Sequence, residues 1–341
     1  MEIIYHYLNG NDLKKVVTEA NIEVIKKPDT NSHNSVEEVH INGMRGFLKK
    51  SIDENGNRIS ILDKYEYLVS KISELYGIKS AEEFLVNDQD SVYLFSKSVV
   101  DENETLVMAS ALAIELLRQI SIPEKMIEEI KTNGASNLKD MIIKYNLPQE
   151  TIVELSKLKN DLETLNLKIE EFRNGLERKM DNPNNKRFYV RDYNQMKFAI
   201  NIFINKLNML NINNKDEITR DYIRMCYFDA LIGNKDRNVN NYGLVRNQDG
   251  SYKFAPLFDS ATVLMPNTEE NLWQINEYLI DRAATLKYIE SEYPNYVADI
   301  QNIDISEIMT SMALDVLTQD EFEIFNKTVL NPLSKDAIMH L

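Results

Sequence analysis

Three oxygen-bearing side chains near residue 240 have the types and the spacing that phosphoryl transfer requires. Asp236 and Asn241 lie five residues apart in a polar stretch at 234–243, and Asp259 follows farther along the chain. Phosphoryl transfer needs a carboxylate that orients or deprotonates the accepting hydroxyl group, and oxygen ligands for Mg²⁺ on the triphosphate. Mg²⁺ is a hard cation that prefers a few carboxylate or amide oxygens. These three residues are therefore candidates for that chemistry.

The elements around these residues predict that they meet at one edge of the structure. A helical run ends at Ile232-Gly233, and the polar stretch Asn-Lys-Asp-Arg-Asn-Val-Asn-Asn-Tyr-Gly follows it. Two strand patterns, 243–246 and 252–254, flank a turn signal at 247–250, which is typical of a β-hairpin. The second strand leads into Ala-Pro-Leu-Phe-Asp-Ser at 255–260. The hairpin is expected to bring the polar loop and Asp259 to the same edge.

The same segment resembles a known family. The stretch "LIGNKDRNVNNYGLV" followed by "YKFAPLFDSATVL" is similar to the HipA/CtkA-type bacterial serine/threonine kinases, over about 35 residues in all. In protein kinases a loop supplies an Asp and then an Asn, and a second Asp follows. The resemblance implies that Asp236 is the catalytic Asp and that Asn241 and Asp259 hold Mg²⁺. One position departs from the family pattern, because Asn238 stands where the family usually has His.

An ordinary polar turn is the alternative interpretation of the loop, since Asn and Asp are favoured in turns. That interpretation suits any single residue here. It does not explain the joint pattern, in which Ala-Pro-Leu-Phe-Asp lies at the right distance from the loop.

The resemblance also implies a lysine for the α- and β-phosphates and a helix glutamate that positions it. Glu66-Tyr67-Leu68 fits the family's glutamate position, and Phe47-Leu48-Lys49-Lys50 offers the lysine. Strand alternation places Leu48 and Lys50 on one face and Lys49 on the other. In the family the lysine follows three hydrophobic positions, and the choice of Lys50 places Leu48 at the central one. Lys50 is therefore preferred, and Lys49 remains an alternative. The alternative is that these are solvent-exposed strand and helix residues.

The wider organisation predicts a sheet-rich first part and a helical second part. Strand patterns at 46–52 and 58–62 flank a turn signal at 53–57, a helix is expected at 65–76, and further strands are expected at 83–86 and 91–100. From about Asn103 the pattern is helical, and residues 148–181 carry a heptad-like apolar seam. The resemblance implies an α+β, two-lobed protein-kinase-like fold of the phosphatidylinositol-kinase-like branch. We expect an ATP-binding N-lobe at 1–102 and a helical C-lobe at 103–341.

Composition excludes several other classes of protein. A net charge of -15 disfavours direct binding to nucleic acid or to an anionic membrane surface. The single cysteine, Cys226, rules out an intramolecular disulfide and a cysteine-rich zinc site. Neither a signal-peptide pattern nor a long apolar run is present in the sequence, and the expected location is the cytoplasm.

The sequence thus predicts an ATP- and Mg²⁺-dependent serine/threonine kinase of the HipA type that acts on a protein substrate or on itself. An antitoxin-type protein partner is a further expectation from the resemblance. Two alternatives stay open. One is a kinase-fold transferase that acts on a lipid or a small molecule, or that transfers AMP. The other is a pseudokinase that uses the helix at 148–181 to bind a partner.

Overall fold

The structure of the chain is a computed structural model. The residues that the structure describes are 2–5, 15–18, 22–26, 34–41, 43–51, 60–88, 91–133, 137–177, 193–234, 237, 239–260, 272–300 and 306–326.

Among the described residues of the first hundred, seven strands form one antiparallel sheet. The strands are β1 (Glu2–Tyr5), β2 (Lys15–Thr18), β3 (Ile22–Lys26), β4 (Asn34–Ile41), β5 (Met44–Ser51), β6 (Glu83–Asp88) and β7 (Ser91–Lys97). Their order across the sheet is β2-β1-β6-β7-β5-β4-β3. The β4–β5 hairpin has Ile41 paired with Met44, so its connection has two residues, and the second of them, Gly43, has a φ of 79°. Asn-Gly is the sequence typical of such a tight hairpin.

The central strand β5 presents its two faces to different surroundings. Leu48 is buried in a small core formed by one face of the sheet, which comprises Val39, Ile41, Leu48, Phe84, Val86 and Phe95. Because side chains alternate along a strand, Lys49 points to the opposite face. Lys49 pairs in register with Leu94 of β7, and Leu94 is buried in the larger core together with residues of the following helix.

Helix α1 (Ser60–Leu75) packs on the Lys49 face of the sheet. The predicted strand at 58–62 is therefore wrong for residues 60–62, which belong to the first turn of α1. Short apolar runs do not distinguish a strand from a helix, and here the run continues into the helical pattern of the next turns. The predicted turn at 53–57 lies outside the described residues. Gly77, with a φ of 65°, lies just after the end of the helix.

The described residues from about Asn103 onward are largely helical, as predicted. The helices are α2 (Leu112–Gln119), α3 (Glu124–Asn133), α4 (Leu138–Lys144), α5 (Gln149–Glu177), α6 (Tyr193–Met209), α7 (Lys215–Ile232), α8 (Leu272–Glu292), α9 (Pro294–Val297), α10 (Ser306–Val316) and α11 (Gln319–Phe325). The long helix expected at 148–181 is confirmed as α5 over the residues described. In the part of the chain that the structure describes, no helix is long and apolar enough to cross a bilayer.

A second, three-stranded antiparallel sheet lies within the helical part. It consists of β8 (Thr105–Met108), β9 (Gly243–Arg246) and β10 (Tyr252–Phe254) in the order β10-β9-β8. The predicted hairpin is confirmed, since β9 and β10 have the expected bounds. Phe254 of β10 packs on an aromatic group in which Phe203 of α6 stacks on Tyr222 of α7 with ring centroids 3.9 Å apart. Such packing fixes the hairpin against α7, which leads into the polar loop.

Candidate active site

The polar loop begins at a firmly capped helix end. Gly233 closes α7 with a φ of 72°, a left-handed conformation that glycine adopts without a steric penalty. Arg282 of α8 is 3% exposed and donates hydrogen bonds to the carbonyl oxygens of Ala230, at 2.7 Å, and Leu231. Helix ends leave such carbonyls without partners inside the helix. The start of the loop is therefore fixed by both its backbone conformation and α8.

Arg237 is the structural centre of the loop. Its side chain is 0% exposed, and it forms two parallel hydrogen bonds with Asp229 of α7, Nε to Oδ2 and Nη2 to Oδ1, each 3.0 Å long. A bidentate contact of this kind fixes orientation as well as distance. The charge of Asp229 helps to raise the pKa of Arg237 although burial opposes it. Arg237 is therefore a permanently charged anchor.

Arg237 also joins the loop to the segment after β10. Its Nη1 donates to the backbone oxygens of Asn241, at 2.9 Å, and Phe258, at 2.7 Å. Its Nη2 donates to Ser260 Oγ at 3.0 Å. One guanidinium thus holds the end of the loop beside the residues on either side of Asp259. The backbones of the polar loop and of the segment around Asp259 are therefore brought together, whereas joint metal binding by Asn241 and Asp259 stays a prediction.

Asp259 has a backbone conformation that few residues adopt. Its φ is 54°, in the left-handed region that Asp and Asn tolerate better than other non-glycine residues. The chain just before it runs beside the segment after α1, because Leu257 donates to the Lys79 oxygen at 2.9 Å. The side chain of Asp259 is 45% exposed, and its Oδ1 lies 3.1 Å from Lys49 Nζ. The carboxylate therefore reaches the sheet and remains accessible.

The lysine that the structure pairs with Glu66 is Lys49, not the Lys50 that the family pattern favoured. Lys49 Nζ lies 2.5 Å from Glu66 Oε1, and the Glu66 side chain is 2% exposed. The physical reason is the core on the other face of β5. Because Leu48 is buried there, alternation directs Lys49 towards α1. The side chain of Lys50 lies outside the described residues, and nucleotide contact by either lysine stays a prediction.

Lys49 is the cation that Glu66 and Asp259 share. Burial alone would lower the pKa of Lys49, but the charges of Glu66 and Asp259 raise it above its usual range. Glu83 of β6 is 3% exposed and receives a long hydrogen bond, 3.5 Å, from Ser96 Oγ. Burial and the neighbouring charge of Glu66 raise the pKa of Glu83 well above its usual value. Lys49 is therefore charged at neutral pH, whereas burial favours the protonated form of Glu83.

Of the predicted site residues, Glu66, Asn241 and Asp259 lie in the described part of the structure. Asn241 is 6% exposed, and its backbone is held by Arg237. Asp236 and Asn238 lie outside the described residues, so their roles stay predictions. Among the residues described, no group of three His, Cys, Asp or Glu side chains is arranged to hold a metal ion.

Sequence reasoning missed Asp229 and Arg237 as a pair, and it missed Glu83. A signal for the pair exists, since Asp229 stands among apolar residues at the end of α7, where a buried acid needs a partner. No comparable signal marks Glu83, because its electrostatic interaction with Lys49 and Glu66 depends on how β6 packs against α1.

Comparison with known proteins gives a likeness of fold to solved structures. No protein-family model matches the sequence, and no curated protein matches it. Among solved structures, the Helicobacter pylori proinflammatory kinase CtkA is similar with a TM-score of 0.53 and 14% sequence identity, covering 94% of this chain and 97% of CtkA. HipA of Shewanella oneidensis MR-1, solved with HipB and its operator DNA, has a TM-score of 0.41 and 10% identity, covering 94% of this chain and 68% of HipA. The fold of this chain, a small antiparallel-sheet lobe with a helical region, is similar to that of the kinase CtkA, which confirms the resemblance to HipA/CtkA-type kinases at the level of the fold.

Proposed function

We propose that the chain is an ATP- and Mg²⁺-dependent phosphotransferase that phosphorylates a serine or threonine hydroxyl group. The observation that carries the proposal is the cluster in which Lys49 contacts both Glu66 and Asp259, at 2.5 and 3.1 Å. Lysine, helix glutamate and metal-site aspartate are the parts that a kinase must bring together around a triphosphate. Here they come from β5, α1 and the end of the β9–β10 hairpin.

Asn241 and Asp259 fit a magnesium site in ligand type. Arg237 holds the Asn241 backbone beside the residue that precedes Asp259, and the accessible carboxylate of Asp259 faces Lys49. Amide and carboxylate oxygens suit a hard cation that otherwise keeps water and phosphate ligands. When bound, Mg²⁺ would neutralise charge on the phosphates of ATP.

In this proposal each residue has one task. Lys49, held by Glu66, binds the α- and β-phosphates. The Asp236 carboxylate orients the acceptor hydroxyl group and receives its proton. The acceptor oxygen forms a bond to the γ-phosphorus, the bond from that phosphorus to the bridging oxygen breaks, and ADP leaves with the electron pair.

Autophosphorylation read by intact mass tests the proposal. Wild-type protein incubated with Mg²⁺ and ATP should gain the mass of phosphoryl groups, and Asp236→Asn should gain none. Asp249→Asn, a change in the exposed turn of the same hairpin, is the matched control and should behave as the wild type. A gain of the mass of an adenylyl group would instead show that the protein transfers AMP. If the wild type gains no mass and phosphorylates neither Ser/Thr peptides nor lipids, the kinase proposal fails.

Nucleotide binding tests the metal site separately. The thermal midpoint of the wild type should rise with ATP and Mg²⁺ together, and Asp259→Ala should abolish the part of the rise that depends on Mg²⁺. A wild type that binds nucleotide but transfers nothing would favour the pseudokinase alternative.

An antitoxin-type partner is a separate proposal supported by the sequence resemblance to HipA-type kinases. Expression of the chain should slow growth, and co-expression of a protein encoded beside it should restore growth and co-purify with it. Growth unaffected by the chain would count against this role.

A further inference from the structure

Helix α1, which carries Glu66, is also held by α11, a helix near the C-terminal end of the described chain. Glu321 of α11 contacts two consecutive residues of α1. Its carboxylate Oε2 lies 2.7 Å from Lys64 Nζ, and its backbone oxygen accepts a hydrogen bond of 3.2 Å from the Tyr65 hydroxyl. The two side chains of the ion pair are 12% and 17% exposed. Contacts shielded from water to this extent are stronger than those on an open surface.

Aromatic packing adds to these polar contacts. The rings of Tyr65 and Phe325 are both 0% exposed, and their centroids are 5.2 Å apart. A pair of this kind contributes beyond the apolar area that it buries. Lys64 and Tyr65 therefore give α1 one charged, one polar and one aromatic contact to the same short helix.

Glu321 is itself fixed by the start of α11. The Thr318 side chain accepts a hydrogen bond from the Glu321 backbone, while the Glu321 carboxylate accepts one from the Thr318 backbone at 2.8 Å. This reciprocal capping box satisfies two backbone donors and restricts both side chains. The acceptor that meets α1 is therefore preorganised.

Lys64 and Tyr65 directly precede Glu66 on α1. Successive residues of a helix are turned by roughly 100° from one another. One turn of α1 therefore contacts α11 on one side and, through Glu66, Lys49 on the other. A rotation or shift of α1 that broke the contacts with α11 would also move the Glu66 carboxylate.

We infer that Lys64, Tyr65 and Glu321 are positioning residues that hold Glu66 in place for Lys49, so that α11 controls whether the nucleotide site is assembled. The inference rests on the proposed function, because it gives the Lys49–Glu66 contact a role in binding ATP. Displacement of α11 would loosen α1 and weaken ATP binding without any change in the site residues themselves.

The test uses the full chain carrying Lys64→Met and Tyr65→Phe together. These changes remove the ammonium and hydroxyl groups and keep most of the apolar volume. The chain offers a matched control, since Lys144 and Tyr145 are also consecutive and both donate to one acid, Glu129, at 2.6 and 2.9 Å. The control variant carries Lys144→Met and Tyr145→Phe.

Three results are expected. Amide exchange should speed up in α1 of the first variant while α5 is unchanged, and the control variant should show normal exchange in α1. Affinity for Mg²⁺-ATP should fall about fivefold or more, the size of a typical coupling between two sites. Lys64→Arg, which keeps the charge, should bind as the wild type does.

A mutant cycle separates positioning from general damage. In a chain that already carries Glu66→Gln, the double change should have no further effect on ATP affinity, because residues that act through one another are not additive. An equal loss of ATP affinity with and without Glu66→Gln would overturn the inference. Normal amide exchange in α1 of the variant with Lys64→Met and Tyr65→Phe would overturn it as well. A wild type without any affinity for ATP would overturn the proposed function instead, and the exchange measurement would still decide whether α11 holds α1.

Discussion

Arg237 and Asp229 form an ion pair with two parallel hydrogen bonds, and neither side chain is more than 1% exposed. The pair lies between the end of α7 and the two segments that carry Asn241 and Asp259. The same guanidinium donates to the backbone oxygens of Asn241 and Phe258. The loop and the end of the hairpin are thus attached to the helix through one side chain.

Replacement of Arg237 should therefore cost both stability and activity. Arg237→Met leaves the Asp229 charge buried without its partner, and we expect the free energy of unfolding to fall by roughly 3–5 kcal/mol. Urea unfolding followed by circular dichroism measures this loss. Arg220→Met, which breaks the partly exposed pair with Asp221, is the control and should cost about 1 kcal/mol or less. A loss at Arg237 no greater than in this control would contradict the anchoring role.

Lys49, rather than Lys50, is expected to bind the nucleotide. Lys49→Met should weaken Mg²⁺-ATP binding by about tenfold or more, since a hydrogen bond to a charged group contributes about 1.5–3 kcal/mol. Lys50→Met is the matched control on the adjacent position and should bind normally. Isothermal titration calorimetry measures both affinities, and circular dichroism verifies the fold, because Lys49→Met leaves Glu66 without its cation. If folded Lys49→Met binds Mg²⁺-ATP normally and Lys50→Met binds it more weakly, the nucleotide-binding lysine is Lys50 and not Lys49.

Glu83 should make stability depend on pH in a defined direction. Burial raises its pKa in the folded state, whereas the unfolded chain releases this proton near about pH 4.3. Above that pH the unfolded state binds fewer protons than the folded state, so Glu83 lowers stability as pH rises towards its folded pKa.

Glu83→Gln, which cannot ionise, should therefore gain stability relative to the wild type as pH rises from about 5 to 8. Thermal unfolding at several pH values gives the difference between the two proteins. Glu82→Gln is the control, because Glu82 is 45% exposed in an ion pair with Lys97, and it should show no such gain. If the difference in thermal stability between Glu83→Gln and the wild type is constant over this pH range, Glu83 ionises normally in the folded state.

Gly243 is expected to tolerate no side chain. A Cβ there would overlap the Val107 carbonyl oxygen and approach Met108 Cα to 2.9 Å, because β9 lies directly against β8. Gly243→Ala should therefore lower the free energy of unfolding by about 1–3 kcal/mol. Gln248→Ala in the exposed hairpin turn is the control, with an expected change within about 0.5 kcal/mol. Urea unfolding of the wild type and both variants measures these changes. If Gly243→Ala is as stable as the wild type, β8 and β9 move apart at this position without a cost in stability.

The sequence by itself determined the elements whose signals are local. Gly233 marked the end of α7, and the turn at 247–250 marked the β9–β10 hairpin, because both positions need backbone conformations that few residues adopt. The motif spacing likewise predicted that Asn241 and Asp259 converge. These features depend on residues close together in the chain.

Tertiary structure decided which side chains meet across long distances. Two adjacent lysines on β5 have the same local propensity, and only the packing of Leu48 into the sheet core and of α1 on the other face selects Lys49. Glu83 and Glu321 carry no sequence signal for their contacts, since the strand and the helix that bear them meet α1 only in the folded chain. Local sequence fixes backbone conformation, whereas the partner of a buried charge depends on which faces pack together.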